Sequence, residues 1–383
     1  MERRVAIVGY AQSHHQQDMP MTREDMVFEV AREALRSAGI SREDVDTVIT
    51  ASTDFLDART ISNLYLSMAV GAYLKDESKV EEDGAFAAYY ALMRILSGVH
   101  HIALVEGHTQ GSVVNPHLVS TYTVDPLFER QFGFLNDISA AAFQARMYME
   151  RYGVSEEEIA LVSVKNLTNA ARNPYAHRKM PDLTAGEVLS SRLYYDPIRE
   201  LTMSPVSDGA CALVLASEEK AREITDTPVW IEGVGSCSDG YLRDRDICRL
   251  DSLRKAALTA YEMAGLKDPS AELDVLEVSE KFAHEELLIC EALGLCPEGK
   301  GKTLIAEGVT GRQGKTPVNP SGGALGADPV CATGLVRLLE AAKQIRGDAD
   351  GHQVPGVNRA LAHGQFGLCA QKNIVFILGG DGK

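Results

Sequence analysis

The chain has 383 residues, with 38 Lys plus Arg against 54 Asp plus Glu, a formal charge of −16. That balance argues against a nucleic-acid binder, whose affinity comes from cations displacing counterions along phosphates, and against attachment to an anionic membrane. With 45% hydrophobic residues, 24% charged and 33 Gly, the composition is that of a globular protein of about two core units.

At the start, Met1-Glu2-Arg3-Arg4 leads into only the short apolar run Val5-Ala6-Ile7-Val8 before Gly9, which is not a leader pattern. Nothing approaches the ~20 apolar residues of a membrane helix. The seven cysteines, Cys211, Cys237, Cys248, Cys290, Cys296, Cys331 and Cys369, are odd in number and scattered, with no Cys-x-x-Cys pair. The expectation is a cytoplasmic chain with neither disulfides nor a metal site, each cysteine reading first as a small buried hydrophobe.

Short runs of Val, Ile and Leu alternate with stretches of helical period, the pattern of helices layered on strands. Val5 to Val8 is predicted as a strand, Arg23 to Ala38 as a helix ended by Gly39, and Val45 to Thr50 as a strand. A helix closes over Leu92 to Ser97, and Ile102 to Glu106 is a further strand. The region 111–226 mixes helical stretches, Ser139 to Tyr152 and Ser155 to Ala171, with loops bearing Asn173-Pro174, Met180-Pro181 and Asp196-Pro197.

The second half repeats the order of the first. Ala31 to Ile40 followed by Val45 to Val48 resembles Ala257 to Leu266 followed by Leu273 to Leu276: helix, glycine cap, polar turn, buried strand. A second pair matches the helix Ala85 to Leu96 and its strand at Ile102 with the helix Ala332 to Ala342 and the strand Ile374 to Leu378. The stretch between the halves is then an insertion of the size of a lid or ligand-holding segment. Its Lys165, Arg172, Arg178, Lys179, Arg192 and Arg199 suit either a phosphorylated ligand or a solvated helical face.

In the C-terminal third, Thr316 to Gly334 contains Asn319-Pro320-Ser321-Gly322-Gly323, then Gly326-Ala327-Asp328-Pro329, then Cys331-Ala332-Thr333-Gly334. This resembles the thiolase signature, Asn-x-x-Gly-Gly leading into Gly-His-Pro and Gly-Ala-Thr-Gly at a helix start. Three more segments agree: Ser204-Pro205-Val206-Ser207-Asp208-Gly209-Ala210, Glu277-Val278-Ser279-Glu280-Lys281-Phe282-Ala283, and Val80 to Ala88 with Leu104 to Gly107. The resemblance covers the whole chain and is nearest the sterol-carrier-protein-x type branch. It implies an α/β thiolase fold: two duplicated βαβαβαββ halves in a five-layer αβαβα arrangement with an inserted loop domain. The implied units are 1–110 with part of 200–226, 111–200 for the insertion, and 227–383.

Departures from the family pattern carry the chemistry. A thiolase takes the acyl group on a cysteine activated by histidine and moves a proton at carbon with a second group. Here the nucleophile position reads Gly84, the Gly-His-Pro histidine reads Asp328, the third motif's Asn or His reads Ser279, and the last motif reads Ala362-His363-Gly364-Gln365 through Cys369. Asp328 is read either as an acid/base standing where the family has histidine or as a cap of the helix after Pro329. His363 is read as activating coenzyme A or protonating a carbanion, or as structural, and Ser279 as binding an oxyanion or as packing. Cys369, His284 and Tyr89 are weaker candidates. Ser204, Gly322, Gly323, Arg172 and Lys179 are the expected coenzyme A contacts, with backbone donors near the glycines stabilising an enolate.

The resemblance thus implies an enzyme that makes or breaks a carbon–carbon bond beside a coenzyme A thioester, on a bulky or aromatic 3-oxoacyl or 3-hydroxyacyl group, without an acyl-cysteine. A non-catalytic scaffold or ligand-binding subunit of an acyltransferase assembly is the alternative. Superfamily members lacking the full cysteine and histidine set imply a homodimeric core joined to a small zinc-ribbon/OB-fold subunit in a heterotetramer.

Overall fold

The computed structural model describes residues 3–381. Its strands are β1 (Val5–Gln12), β2 (Thr47–Ala51), β3 (Asp76–Val80), β4 (Ile102–Gln110), β5 (Leu193–Tyr195), β6 (Ile198–Arg199), β7 (Asp208–Ser217), β8 (Val229–Ser238), β9 (Val275–Glu277), β10 (Arg359–Phe366) and β11 (Lys372–Gly379). The longer helices are α1 (Arg23–Ala38), α2 (Gly84–Leu96), α3 (Asp137–Tyr152), α4 (Glu156–Ala170), α5 (Asp251–Ala264), α6 (Ala283–Ala292) and α7 (Thr333–Arg346). β5 and β6 form a small hairpin; the others make one nine-stranded sheet in the order β3-β2-β4-β7-β1-β8-β11-β10-β9.

That order contains the same pattern twice. β2 runs parallel to β4, β4 antiparallel to β7, and β7 antiparallel to β1. Likewise β9 runs parallel to β10, β10 antiparallel to β11, and β11 antiparallel to β8. In the second half Val318, bridged in parallel to Leu276, takes the place of β3. The halves join through β1 and β8 at Ala6↔Trp230 and Ile7↔Val229.

The first predicted repeat holds: α1 ends at Gly39 with φ 68° and α5 at Gly265 with φ 70°, left-handed caps at which a Cβ is strained. The second needs a new register. The counterpart of β4 is β10, because each lies parallel to the strand that follows the outer helix. The run Ile374 to Leu378 belongs to β11 and matches β7.

Alternate strand residues face opposite sides of a sheet, and three cores follow. Ala6, Val8, Val48 and Leu104 pack under α1. Leu361, Val375 and Ile377 pack under α5 and α6. Ile7, Ile49 and Val105 of one half and Ile231, Ala362 and Phe376 of the other enclose α2 and α7. The layers are therefore helix, sheet, helix pair, sheet, helix. The outer helices sit close: a Cβ on Gly9 would lie 2.6 Å from the Ala34 carbonyl oxygen, and one on Gly235 would lie 2.0 Å from that of Ala256.

The two central helices meet at their N-termini. The Asp83 carboxylate accepts from Ala85 N at 2.9 Å in α2 and from Gly334 N at 2.7 Å in α7, so one side chain satisfies free amides of both helix ends. Residues between β4 and β7 form the insertion, where the corresponding turn of the second half is just 367–371.

Candidate active site

A cavity of about 280 Å³ opens at the N-terminal ends of α2 and α7, next to Glu81 and to Asp328 and Val330. Three motif segments are laid side by side to build its floor. Met203 bridges Phe282, Val206 bridges Asp328, and Ser204 N donates to the Lys281 carbonyl at 2.8 Å. Ser204 Oγ donates to Asp328 Oδ2 at 2.8 Å, and Thr333 Oγ1, at the first residue of α7, donates to Oδ1 at 2.5 Å. Phe55, Leu56, Val119, Pro205, Phe282, Phe366 and Leu368 make most of the wall apolar.

The insertion supplies the opposite wall. His117 lies on the short helix Pro116–Val119, capped by Asn115, and Asp137 is the first residue of α3, capped by Asn136. His117 Nδ1 is 2.9 Å from Asp137 Oδ2, and Ser120 Oγ donates to Oδ1 at 2.9 Å. Burial disfavours the imidazolium of His117, but Asp137, with Asp328 beyond it, more than compensates and its pKa is raised. Burial likewise works against the Asp137 carboxylate, and His117 and Ser120 bring its pKa below the usual value. With Nδ1 committed to Asp137, Nε2 of His117 is the nitrogen left to exchange a proton in the cavity.

Lys281, from the turn before α6, also lines the cavity. Its backbone N–H donates to Glu285 Oε2 at 2.8 Å, and Gln365 Nε2 donates to the same oxygen at 3.0 Å. Burial works to lower the pKa of Lys281, but Asp328, Asp137, Glu285 and Asp83 hold it above the usual lysine value.

Residues 234–380 match the family described as thiolase C-terminal domain-like. Over 371 residues the chain is 34% identical to an acetyl-CoA acetyltransferase of Methanothermobacter thermautotrophicus, covering 94% of this chain and 96% of that one. The chain belongs to the thiolase superfamily. Within it, sterol carrier protein 2 of Oryctolagus cuniculus is 38% identical over 56% of this chain and 40% of its own length. The benzoylsuccinyl-CoA thiolase subunit BbsB of Thauera aromatica is 34% identical over 61% of this chain and 60% of its own. Among solved structures, the Ltp2-ChsH2(DUF35) aldolase superposes with a TM-score of 0.85 at 25% identity, covering 99% of this chain and 98% of that one.

Of the thiolase-motif residues singled out from sequence, Asp328 and Ser204 line the cavity, as does Cys369. Asp328 does not cap α7 through the backbone; it takes the Thr333 hydroxyl instead. His363 and Ser279 lie behind the wall, not in it. His363 is fully buried; its Nδ1 accepts from Ser279 N at 3.4 Å and its Nε2 faces Asn373 Oδ1 at 2.9 Å, so both nitrogens are committed. Burial pushes its pKa down to about 4. Ser279 Oγ donates to the His363 carbonyl at 2.8 Å. These two hold β10 to the turn after β9.

Gly322 and Gly323 serve close packing. A Cβ on Gly322 would lie 2.5 Å from Ala170 Cβ, and one on Gly323 would lie 2.1 Å from Glu280 Oε1. Neither borders the cavity. Arg172 and Lys179 are exposed and also outside it, with Lys179 Nζ on the Pro174 carbonyl at 2.8 Å. Other cations of the insertion are engaged: Lys165 with Glu286 at 2.9 Å, Arg178 with the Met203 carbonyl at 2.8 Å, and Arg199 with Glu156 at 3.4 Å. His284 is buried against Gln144. Position 84 does not face the cavity either, because a Cβ there would meet Leu335 Cβ at 2.7 Å between the central helices. Glu81 is the residue of that segment in the wall. Sequence reasoning missed His117, Asp137 and Lys281. The lysine stands in the third motif, between Glu280 and Phe282.

Proposed function

We propose that this chain cleaves or forms a carbon–carbon bond beside a coenzyme A thioester, on a bulky or aromatic 3-hydroxyacyl or 3-oxoacyl group, without an acyl-cysteine intermediate. The observation that carries this reading is the His117–Asp137 pair in the wall of a largely apolar cavity at the N-termini of α2 and α7. In the cleavage direction, His117 Nε2 takes the proton of the 3-hydroxyl of a 3-hydroxyacyl group, or that of an attacking thiol, whose sulfur then adds to C3 of a 3-oxoacyl group to form the S–C3 bond. The C2–C3 bond then breaks, its electron pair moves onto C2 and the thioester oxygen, and the proton returns to C2. Asp137 keeps the imidazole oriented and supports its charged form, as a carboxylate partner does for a general base. Asp328 and Ser204 position the thioester end.

Two features support a route without acyl-cysteine. No cysteine lies in the segment 80–84 that leads into α2. The cavity's thiol, Cys369, has its pKa pushed far up by burial, which leaves little thiolate to attack.

We also propose a homodimeric core and a small zinc-ribbon/OB-fold partner subunit. The free edge of β3 and the exposed Leu64, Met68, Tyr73 and Leu74 near it support the first. Support for the second is that the aldolase neighbour is named for two proteins and the Thauera relative is named a subunit.

The test is incubation of the purified assembly with 3-hydroxyacyl- and 3-oxoacyl-coenzyme A esters, reading products by chromatography and the protein by intact mass. Cleavage without mass gain is expected. A stoichiometric acyl adduct on any cysteine overturns the mechanism. No coenzyme A binding by calorimetry, with or without a partner, favours the scaffold alternative.

A further inference from the structure

The reaction proposed above leaves an electron pair on the thioester oxygen, and in an apolar cavity that charge is costly unless a donor is already aimed at it. Gly322 and Gly323, where backbone donors were expected, do not line the cavity. We propose, on the strength of that functional reading, that Lys281 is the catalytic cation: its ammonium binds the thioester carbonyl oxygen and holds the enolate.

The carboxylates at the site's centre are already bonded. Asp137 takes His117 and Ser120, Asp328 takes Ser204 and Thr333, and Glu285 takes Gln365 and the Lys281 amide. Lys281 Nζ, in contrast, makes no hydrogen bond or ion pair among the described residues; it lies 5.9 Å from the centroid of Phe366, another wall residue. Nor is it among the buried polar atoms sealed off without a partner. Because Lys281 lines the cavity, its ammonium keeps donors for a ligand bound there.

The surrounding carboxylates favour the charged form of Lys281 while bonding elsewhere, so the ammonium is balanced at a distance and free at close range. A protonated amine has no lone pair to attack a carbonyl, which assigns Lys281 electrostatic rather than covalent work. The enolate oxygen gathers the electron pair released from C2–C3 and gives it back when C2 is protonated, with Lys281 keeping its own proton throughout.

The experiment uses the chain with its co-purifying partner, a saturated acyl-coenzyme A that cannot be cleaved, and deuterium oxide. Exchange of the C2 protons, read by NMR, reports enolate formation without bond cleavage. Wild-type protein is expected to exchange, and Lys281→Met and Lys281→Gln to exchange about 10²–10³-fold more slowly, with thioester affinity changed only a few-fold. Variants that exchange at the wild-type rate overturn the role of Lys281 and leave the functional reading standing. A wild-type protein that neither exchanges nor cleaves overturns both. A second measurement needs no variant: the infrared band of a ¹³C-labelled thioester carbonyl is expected to move to lower frequency on binding, and an unmoved band overturns the proposal.

Discussion

His117 has one carboxylate partner on one nitrogen, and that sets a pH dependence. Its raised pKa comes mainly from Asp137 overcoming burial, so the neutral, proton-accepting form appears above the usual histidine value of about 6.5. The reaction's kcat/KM is expected to rise with pH through that raised value. Asp137→Asn removes the main support, so the limb moves to lower pH. His117→Gln is expected to cost about 10²–10⁴-fold in kcat. A limb that stays put in Asp137→Asn removes His117 from the role of base.

A second histidine makes a stability prediction. His108 is buried, 3.1 Å from Glu106 of its own strand and 3.3 Å from Asp57, which in turn lies 3.5 Å from Arg23 of α1. Burial works against its charge, but the two carboxylates raise its pKa to about 9. The stabilisation is full below about 6.5, the unfolded value, and is lost as pH rises toward 9. Thermal melts of wild type are expected to fall over that window, and those of His108→Gln to be lower and flatter. At this scale Asp328 and Ser204 were legible because they sit in contiguous motifs. His117 and Asp137 were not, because they meet only when Ser120 bonds the first residue of α3, a closure that no periodicity announces.

Among elements, helix-to-strand spacing is the constraint that local sequence encodes best. The caps at Gly39 and Gly265 and the close approach at Gly9 and Gly235 mark α1 and α5 as equivalent. Gly235→Ala places a methyl group on the Ala256 carbonyl and is expected to cost about 1–3 kcal/mol, read as a lower denaturant midpoint. An unchanged midpoint means that α5 is not seated on β8 as described. The mistaken pairing of β4 with β11 has a physical origin. β10 carries His363, Gly364 and Gln365 in its centre, which breaks its apolar run, while β11 presents Ile374 to Leu378 unbroken. Composition therefore pointed to the wrong strand, and only ladder direction separates them.

For the whole molecule, α/β layering and duplication were readable from the chain, whereas the cavity was not, because its walls come from both halves and the insertion at once. An unpaired sheet edge favours association with another strand, and the homodimer proposed for β3 has a direct check. Leu64→Asp with Met68→Asp is expected to convert dimer to monomer by light scattering, with the circular dichroism of the fold retained. A double variant that stays dimeric places the interface elsewhere.

Between the halves the sheet is continuous through just two residue pairs, Ala6↔Trp230 and Ile7↔Val229, and Trp230 is the chain's single tryptophan. It is fully buried, its indole N–H donates to Asp381 at 2.6 Å, and the Arg4 guanidinium lies 3.9 Å from its ring. Nature has therefore placed one fluorophore on the seam. Without any label, its emission colour and its access to quencher report whether the two halves part before either one melts.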